Sequence, residues 1–250
     1  FRLTVDDYPA VLRICQLVEG MPLGLELAAA WSEWLPLDEI AKEIEKSSDF
    51  LASDALDVPD RQRSMRAVFE WSWKLLDEQE RQLFCQLSIF HGGFTREAAK
   101  QITGASLRML IRLANKSLLN APQQPNISHQ PDGAPNGAPS GAMHYHMHEL
   151  LRQYAAEQLN AQADQGLAIA NRHSDYYLDL IVTRDLRMAR NDPLAAVAEL
   201  RPEIDNIRQA WRHAVDQVNI ALLDTSVSGL ARFYELTGLL HEIVQMTGYA

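Results

Sequence analysis

The sequence predicts a mainly α-helical fold made of a helical bundle, a winged helix-turn-helix with a small β wing, and the beginning of an α-helical repeat array. Apolar residues recur at the helical period of about 3.6 in almost every long segment. The one strong alternation at a period of two covers 143–148, and it follows two short helices with a glycine turn between them. Helices therefore dominate, and β structure is confined to the wing.

The composition is that of a globular protein. Of the 250 residues, 47% are hydrophobic and 22% are charged, which argues against disorder over most of the chain. The net charge of −10 disfavours general electrostatic binding to nucleic acid or to an anionic membrane. The apolar run at 21–31 is too short to cross a bilayer, and two cysteines are too few for a disulfide framework. We therefore expect a cytoplasmic protein.

Residues 1–58 are predicted to form a domain of three helices. Gly20 ends the first helix, and Pro22 occupies the first turn of the second, where its missing N–H costs nothing. The third helix is expected at 37–46. Residues 47–60 are acidic and lack any helical period, which indicates a domain boundary.

A winged-helix domain is predicted at 60–163. Asp77 with Glu80 three residues later matches a capping box, and Gly104 marks the turn between two short helices. N-caps are expected at Ser64, Asp77, Thr95 and Ser106. The helix after Ser106 is predicted to bury Leu107, Leu110, Ile111, Ala114 and Leu118.

The wing is predicted from two strands that follow this helix-turn-helix. One strand ends at 118–119, and the other covers the alternating residues 143–148. Between them, the 22 residues 121–142 contain five prolines and three glycines, so we expect a flexible insert.

The residues 167–250 are predicted to begin a tetratricopeptide-like array of helix pairs. Gly166 is expected to break the chain, and Pro193 and Pro202 each stand in the first turn of a helix. The last of these helices carries an apolar stripe formed by Ile204, Ile207, Trp211, Ala214 and Val218. Such pairs bury their apolar faces by stacking. Because the sequence opens at Phe1 without a methionine and ends just after an apolar run, we expect it to be part of a longer protein.

Motifs for catalysis are absent from the sequence. It has no Gly-Lys dipeptide, and hence no phosphate loop of the form G-x-x-x-x-G-K-[ST]. The patterns G-x-S-x-G, H-E-x-x-H, C-x-x-C and G-x-G-x-x-G are also missing. We therefore expect that the chain is not itself an enzyme and has no catalytic residues.

Three histidines alternate near the end of the wing. His144, His146 and His148 would point to one face of a strand, and three imidazoles on one face suit zinc or nickel. The alternative is a solvated histidine face with Tyr145 and Met147 turned into the core. Because no fourth ligand has an evident spacing, we expect no metal site.

A basic row lies on the second helix of the helix-turn-helix. Arg108, Arg112 and Lys116 are four residues apart, as on a helix that enters the major groove and contacts phosphates. The alternatives are a solvated face and a face that docks on an acidic surface of the same protein. Because the chain is acidic, DNA contact is not the favoured interpretation.

Several motifs in a fixed order resemble one family. Residues 15–31 read C-Q-L-V-E-G-M-P-L-G-L-E-L-A-A-A-W, and 147–159 read M-H-E-L-L-R-Q-Y-A-A-E-Q-L. They are similar to the "GLPL" and "MHD" motifs of the NB-ARC-type signal-transduction ATPases (the STAND class), specifically bacterial AfsR-like or LuxR-type regulators. Residues 64–98 resemble the start of that family's winged helix, and 171–211 resemble its first tetratricopeptide-like helices.

This resemblance implies a nucleotide-binding role for three residues. In the family, the proline of the first motif packs on adenine, and the histidine of the second contacts the β-phosphate of ADP. Carried over, these are Pro22, with Leu23 beside it, and His148. Glu149 departs from the family's aspartate, and the insert 121–142 is unusual so close to the histidine.

The resemblance also implies a function and partners. The phosphate loop and the magnesium-binding strand of the family would precede Phe1, so ADP or ATP with Mg²⁺ is expected in the intact protein, and no tight nucleotide binding is expected of this chain alone. The expected function is the sensor half of a nucleotide-switched regulator, with the winged helix as an intramolecular clamp. Its partners would be the upstream nucleotide-binding domain and an inducer, protein or small molecule, at the helical array. The alternatives are an autonomous DNA-binding winged helix and an interaction scaffold without nucleotide control.

Overall fold

The computed structural model describes residues 7–32, 35–46, 51, 65–120 and 144–239. Buried apolar side chains from each of these stretches form one contiguous core. The predicted insert 121–142 and the predicted cap at Ser64 lie outside the described residues, as does the boundary 47–60 apart from Leu51. Within the described stretches, every helix is too short or too polar to cross a membrane.

The N-terminal helices are α1 (Tyr8–Leu17), α2 (Pro22–Trp31) and α3 (Leu37–Lys46). Pro22 is the first residue of α2, as predicted. Helices α1 and α3 pack against each other. Their contact is apolar because it buries Ile14, Leu17, Ile40 and Ile44.

The described residues from 65 to 160 form α4 (Met65–Lys74), α5 (Glu78–Leu87), β1 (Phe94–Thr95), α6 (Arg96–Thr103), α7 (Leu107–Asn115), β2 (His144–Tyr145) and α8 (Glu149–Asn160). The capping box is confirmed: the Asp77 carboxylate accepts from the Glu80 N–H at 2.8 Å, and the Glu80 carboxylate accepts from the Asp77 N–H at 3.0 Å. Thr95 and Ser106 cap α6 and α7 by single hydrogen bonds, in which the hydroxyl accepts from the N–H of Ala98 and of Met109, respectively. Between these two helices, Gly104 adopts a left-handed conformation with φ of 74°.

The wing differs from the prediction in its pairing. Strand β2 pairs antiparallel with β1, so that Phe94 lies opposite Tyr145. The residues after α7 contribute one bridge, from Asn120 to His146. The segment at 144–146 therefore lies between β1 and Asn120, and the arrangement is a winged helix with a very small sheet.

The buried face of α7 also differs from the predicted stripe. Leu110 and Leu118 are buried as expected, but Leu107 and Ile111 are 39% and 46% exposed. Leu113, which the predicted stripe omits, is fully buried. Because apolar residues occupy two sides of this helix, periodicity alone predicts the wrong side of α7 as the buried one.

The C-terminal helices are α9 (Ala163–Leu186), a π-helical turn (Arg187–Asn191), α10 (Pro193–Leu200), a 3₁₀ turn (Arg201–Glu203), α11 (Ile204–Asp216) and α12 (Ile220–Thr237). Helix α9 packs on α6 and α8 of the winged helix and on α11 and α12. The predicted break at Gly166 is wrong, because α9 begins three residues earlier and the break falls at 161–162. The predicted stripe holds for Ile207, Trp211 and Ala214, whereas Val218 lies beyond α11 and is 72% exposed.

Candidate functional site

The turn between α1 and α2 places Pro22 and Leu23. The Met21 N–H donates to the Val18 carbonyl at 2.8 Å, and Glu19 adopts a left-handed φ of 47°. For a residue other than glycine this conformation costs about 1–2 kcal/mol, so contacts elsewhere must hold the turn. Pro22 is exposed, and the half-buried Leu23 packs on the core.

His148 lies at the other side of this turn and uses both of its ring nitrogens. Its Nδ1 accepts from the Leu150 N–H at 3.2 Å and thereby caps α8. Because Nδ1 accepts, the neutral imidazole carries its proton on Nε2. That Nε2 lies 3.0 Å from the Val18 carbonyl, to which it donates. His148 therefore ties the start of α8 to the α1–α2 turn, four residues before Pro22.

Glu149 makes a second hydrogen bond between α8 and the α1–α2 turn. Its N–H donates to the Glu19 carboxylate at 3.0 Å, which connects the winged helix to the strained residue of the turn. Its own carboxylate accepts two hydrogen bonds of 2.8 Å from Arg152, which also donates to the Ser88 carbonyl at 3.2 Å. Burial acts to raise the pKa of Glu149, but the hydrogen bonds and charge of Arg152 outweigh it and lower the pKa.

A small pocket lies beside the hydrogen bonds that His148 and Glu149 make with the α1–α2 turn. It measures about 210 Å³ and is lined by Glu19, Phe90, Gly92, Gly93, Phe94, Met147, Glu149 and Arg152. The structure thus brings the elements that carry Pro22 and His148 together. The pocket itself is walled by the loop 90–94 and by two carboxylates, and its one cationic lining residue is Arg152, whose guanidinium is already bound to Glu149.

Two of the three side chains in the basic row on α7 pair with acidic groups of the same chain. The Lys116 ammonium lies 2.5 Å from the Glu80 carboxylate and also donates to the Leu75 carbonyl at 3.0 Å. The hydrogen bond from Lys116 lowers the pKa of Glu80 against the opposing effect of burial. Arg112 lies 3.7 Å from the Asp77 carboxylate, whereas Arg108 is exposed. The row therefore lies partly against acidic groups of the same chain.

The three histidines do not share one face. His148 is the N-cap of α8 rather than part of a strand, so the prediction that all three imidazoles point to one face of a strand is wrong. The solvated-face alternative holds for His146, which is exposed, and for Tyr145 and Met147, which pack in the core. His144 Nε2 lies 2.6 Å from the Glu203 carboxylate, and His146 Nδ1 lies 2.6 Å from the Gly92 carbonyl. Each imidazole thus has its own partner. Across the part of the chain that the structure describes, no three histidine, cysteine or acidic side chains are grouped so that they could hold a metal.

A buried polar cluster that the sequence analysis did not identify lies between the winged helix and the C-terminal helices. Asn206 is fully buried; its Oδ1 accepts from the His91 N–H at 2.8 Å, and its Nδ2 donates to the Gly93 carbonyl at 2.7 Å. Because one partner is an N–H and the other a carbonyl, they fix the orientation of the amide. Glu203, 4% exposed, binds His144 and accepts from the Tyr177 hydroxyl at 3.1 Å. The one sign of this cluster in the sequence is a polar residue, Asn206, beside the apolar stripe of α11.

His173 completes this cluster. It is 1% exposed, and its Nε2 lies 3.3 Å from the Asn206 Oδ1. Burial lowers its pKa to about 3, although the hydrogen bond to Asn206 acts in the opposite direction. His173 is therefore a neutral imidazole in the interior of the folded chain.

The sequence has relatives among the proteins of mycobacteria. A protein of Mycobacterium tuberculosis and one of Mycobacterium bovis, each named "Putative HTH-type transcriptional regulator", are 32% identical to it over 219 residues. An uncharacterised protein of Mycobacterium tuberculosis is 31% identical over 102 residues, or 41% of this chain and 26% of its own length. No family model matches the sequence. No solved structure matches it. The alignment with the two regulators covers 84% of this chain, which spans 23% of their length.

Proposed function

We propose that this chain is the regulatory part of a helix-turn-helix-type transcriptional regulator, and that it acts as a nucleotide-responsive clamp. The names of the two mycobacterial relatives support the regulatory role. The position of His148 supports the clamp, because its ring joins the winged helix to the α1–α2 turn through the Val18 carbonyl. The motifs at 15–31 and 147–159, which are far apart in sequence, meet at this contact.

The clamp would work because one hydrogen-bond donor, the N–H of His148, can bind only one of two competing acceptors at a time. His148 has a single N–H, on Nε2, and in this structure the Val18 carbonyl accepts it. An anionic phosphate oxygen is a stronger acceptor than a carbonyl. A phosphate at Nε2 would therefore replace the Val18 carbonyl as the acceptor, and the contact between the α1–α2 turn and α8 would weaken.

The residues present account for only part of a nucleotide site. Pro22 offers an exposed apolar ring, and His148 offers one N–H. The nearby carboxylates of Glu19 and Glu149 repel a diphosphate, and the guanidinium of Arg152 is held by Glu149. The rest of the phosphate contacts would come from a domain upstream in the longer protein, and that domain would supply the magnesium-dependent chemistry.

His148→Ala tests this proposal in the full-length protein that carries the chain. We expect bound ADP to be lost about 10- to 100-fold faster, because a hydrogen bond to a charged group is worth about 1.5–3 kcal/mol. The measurement is the dissociation rate of a fluorescent ADP analogue.

His213→Ala is the matched control, because it makes the same replacement at a histidine of α11 whose Nε2 lies 2.7 Å from Asn171 Oδ1. The ADP release rate of this variant should stay within about twofold of that of the unchanged protein. Equal rates for His148→Ala and His213→Ala would rule out the sensor role of His148. Calorimetry with ADP on this chain alone should show no tight binding.

Direct DNA binding by the winged helix is a second candidate function. The names of the relatives favour it, and so does α7, on which Arg108 is exposed together with Leu107 and Ile111. The ion pairs of Arg112 and Lys116 with Asp77 and Glu80 weigh against it, since phosphates would have to displace these carboxylates.

Duplex binding at low salt separates the two candidates. Because acidic groups pair with two residues of the basic row, we expect no binding tighter than about 10⁻⁴ M at physiological salt, the weak end of non-specific affinity. Fluorescence anisotropy with mixed-sequence duplex DNA at several salt concentrations measures it. Affinity that rises as salt falls, and that Arg108→Ala removes while Arg190→Ala on the exposed π-helical turn does not, would assign the function to DNA binding.

A further inference from the structure

The segment 144–149 contacts the elements on both sides of the winged helix. His144 binds Glu203 at the C-terminal helices, and His146 binds the Gly92 carbonyl in the loop before β1. His148 and Glu149 bind the α1–α2 turn at 3.0 Å each. One short segment therefore contacts all three groups of helices.

This segment is held so that it moves as one piece. Tyr145 pairs with Phe94 on one side, and His146 forms two backbone hydrogen bonds with Asn120 on the other, at 2.7 and 3.1 Å. An extended strand of four residues spans only about 13 Å. A cross-paired strand of this length transmits a displacement at one end to the other end.

The contact at the N-terminal end of this segment, between His144 and Glu203, is buried. The side chain of Glu203 is 6% exposed and that of His144 is 17% exposed, with 2.6 Å between Oε1 and Nε2. The second carboxylate oxygen accepts from Tyr177 at 3.1 Å. Breaking one side of a buried pair leaves an uncompensated carboxylate, which costs several kilocalories per mole. A shift of the turn that carries Glu203 must therefore take His144 with it.

The loop before β1 reinforces the same connection. Asn206, one turn of helix after Glu203, holds the His91 N–H and the Gly93 carbonyl. A Cβ at Gly93 would lie 2.6 Å from Cε1 of His146, so only glycine lets that imidazole lie against the loop. The loop and the segment 144–149 thus form one unit, held at two points by the start of α11.

We propose that Glu203 is a positioning residue for His148: through His144 and the stiff segment 144–149, it couples the C-terminal helices to the hold of α8 on the α1–α2 turn. A ligand or partner that moves the start of α11 would thereby change how firmly His148 holds Val18. The coupling itself involves only residues of this chain. Its consequence for a nucleotide rests on the proposed function.

Hydrogen–deuterium exchange of the chain without nucleotide tests the coupling. Glu203→Leu removes both carboxylate oxygens and keeps a side chain of similar volume. In this variant the amides of Glu149 and Leu150 should exchange about tenfold faster, because the free energy of local opening would fall by about the value of one hydrogen bond. His144→Phe attacks the same contact from the other side and should give the same pattern. It also serves if Glu203→Leu does not fold.

Glu199→Leu is the matched control, because Glu199 lies on α10 and pairs with Arg184 and Arg187 on the outer surface. This variant should leave the amide exchange rates at 148–150 unchanged, and the exchange rates of the α3 amides should be unchanged in all three variants. Faster exchange confined to 91–94 and α11, with 148–150 unchanged in both test variants, overturns the proposal. So does an equal increase in Glu199→Leu. Because no nucleotide is present, this result is independent of the ADP release measured for His148→Ala.

Discussion

Asn206→Leu is expected to lower the free energy of unfolding by about 3 kcal/mol, a large fraction of the stability of a typical domain. The leucine keeps the volume of the side chain but removes the acceptor for the His91 N–H and the donor to the Gly93 carbonyl. Asn206 is fully buried and lies where α11 meets the loop before β1, so the two backbone groups are left without partners in the interior. An unsatisfied buried polar group costs about 1–3 kcal/mol, which is the source of the expected value.

Urea denaturation followed by circular dichroism measures this loss. Asn160→Leu is the control, because it makes the same chemical change at an exposed position at the end of α8 and should alter stability by less than about 0.5 kcal/mol. A loss for Asn206→Leu as small as that of the control would mean that the loop and α11 are not joined through this amide. The coupling proposed for Glu203 would then lack its second anchor.

Local signals in the sequence were sufficient to predict most of the helices. Asp77 with Glu80, and likewise Thr95 and Ser106, act over three residues, so the pattern of side chains determines the cap directly. Gly166 misled the prediction because a glycine inside a helix costs only about 1 kcal/mol, and the packing of α9 on four other helices outweighs it.

The errors in the wing and in α7 have a different cause. The pairing of β1 with β2 joins residues about fifty positions apart, and strands of two residues carry almost no periodicity. In α7, Leu107 and Ile111 were expected inside although Leu113 takes that place, because the stripe does not reveal which neighbour covers it. Both features depend on tertiary contacts that have no local signature.

The candidate site was predicted unevenly for the same reason. Pro22 and His148 were identified through a family resemblance, and their elements do meet, but the Val18 carbonyl that accepts from His148 has no mark in the sequence. The three alternating histidines suggested one shared face, whereas each contacts a different partner. The buried cluster of Glu203, Asn206 and His173 combines residues from the 3₁₀ turn, α11 and α9, and no local pattern predicts it.

Acid is expected to destabilise the chain through His173, by about 2 kcal/mol between pH 7 and pH 5. Burial lowers the pKa of His173 to about 3 in the folded chain, whereas an unfolded histidine has a pKa of about 6.5. Above pH 6.5 both states are neutral, and the group contributes no pH dependence. Below that pH only the unfolded state gains the proton, so stability falls by about 1.4 kcal/mol per pH unit until the folded pKa is reached.

Other titrating groups contribute in ways that the pH range separates. Burial also lowers the pKa of His91 and of His213, so both add to the loss in the same direction. Glu149 has a lowered pKa, and its contribution is present above the unfolded carboxyl pKa of about 4.5 and lost only below it. Stability measured by urea denaturation from pH 7 down to pH 5 therefore reports mainly on the histidines.

His173→Phe separates the buried imidazole from these neighbours. Phenylalanine fits a site where the His173 ring packs 4.7 Å from Tyr177 and 5.7 Å from Phe90 between centroids, and Asn206 Oδ1 keeps its bond from the His91 N–H. We expect this variant to lose less than half as much stability as the unchanged chain between pH 7 and pH 5. If His173→Phe keeps the full dependence, the folded chain accepts a proton at this position, and the cluster around Asn206 must then open in acid rather than stay closed until unfolding.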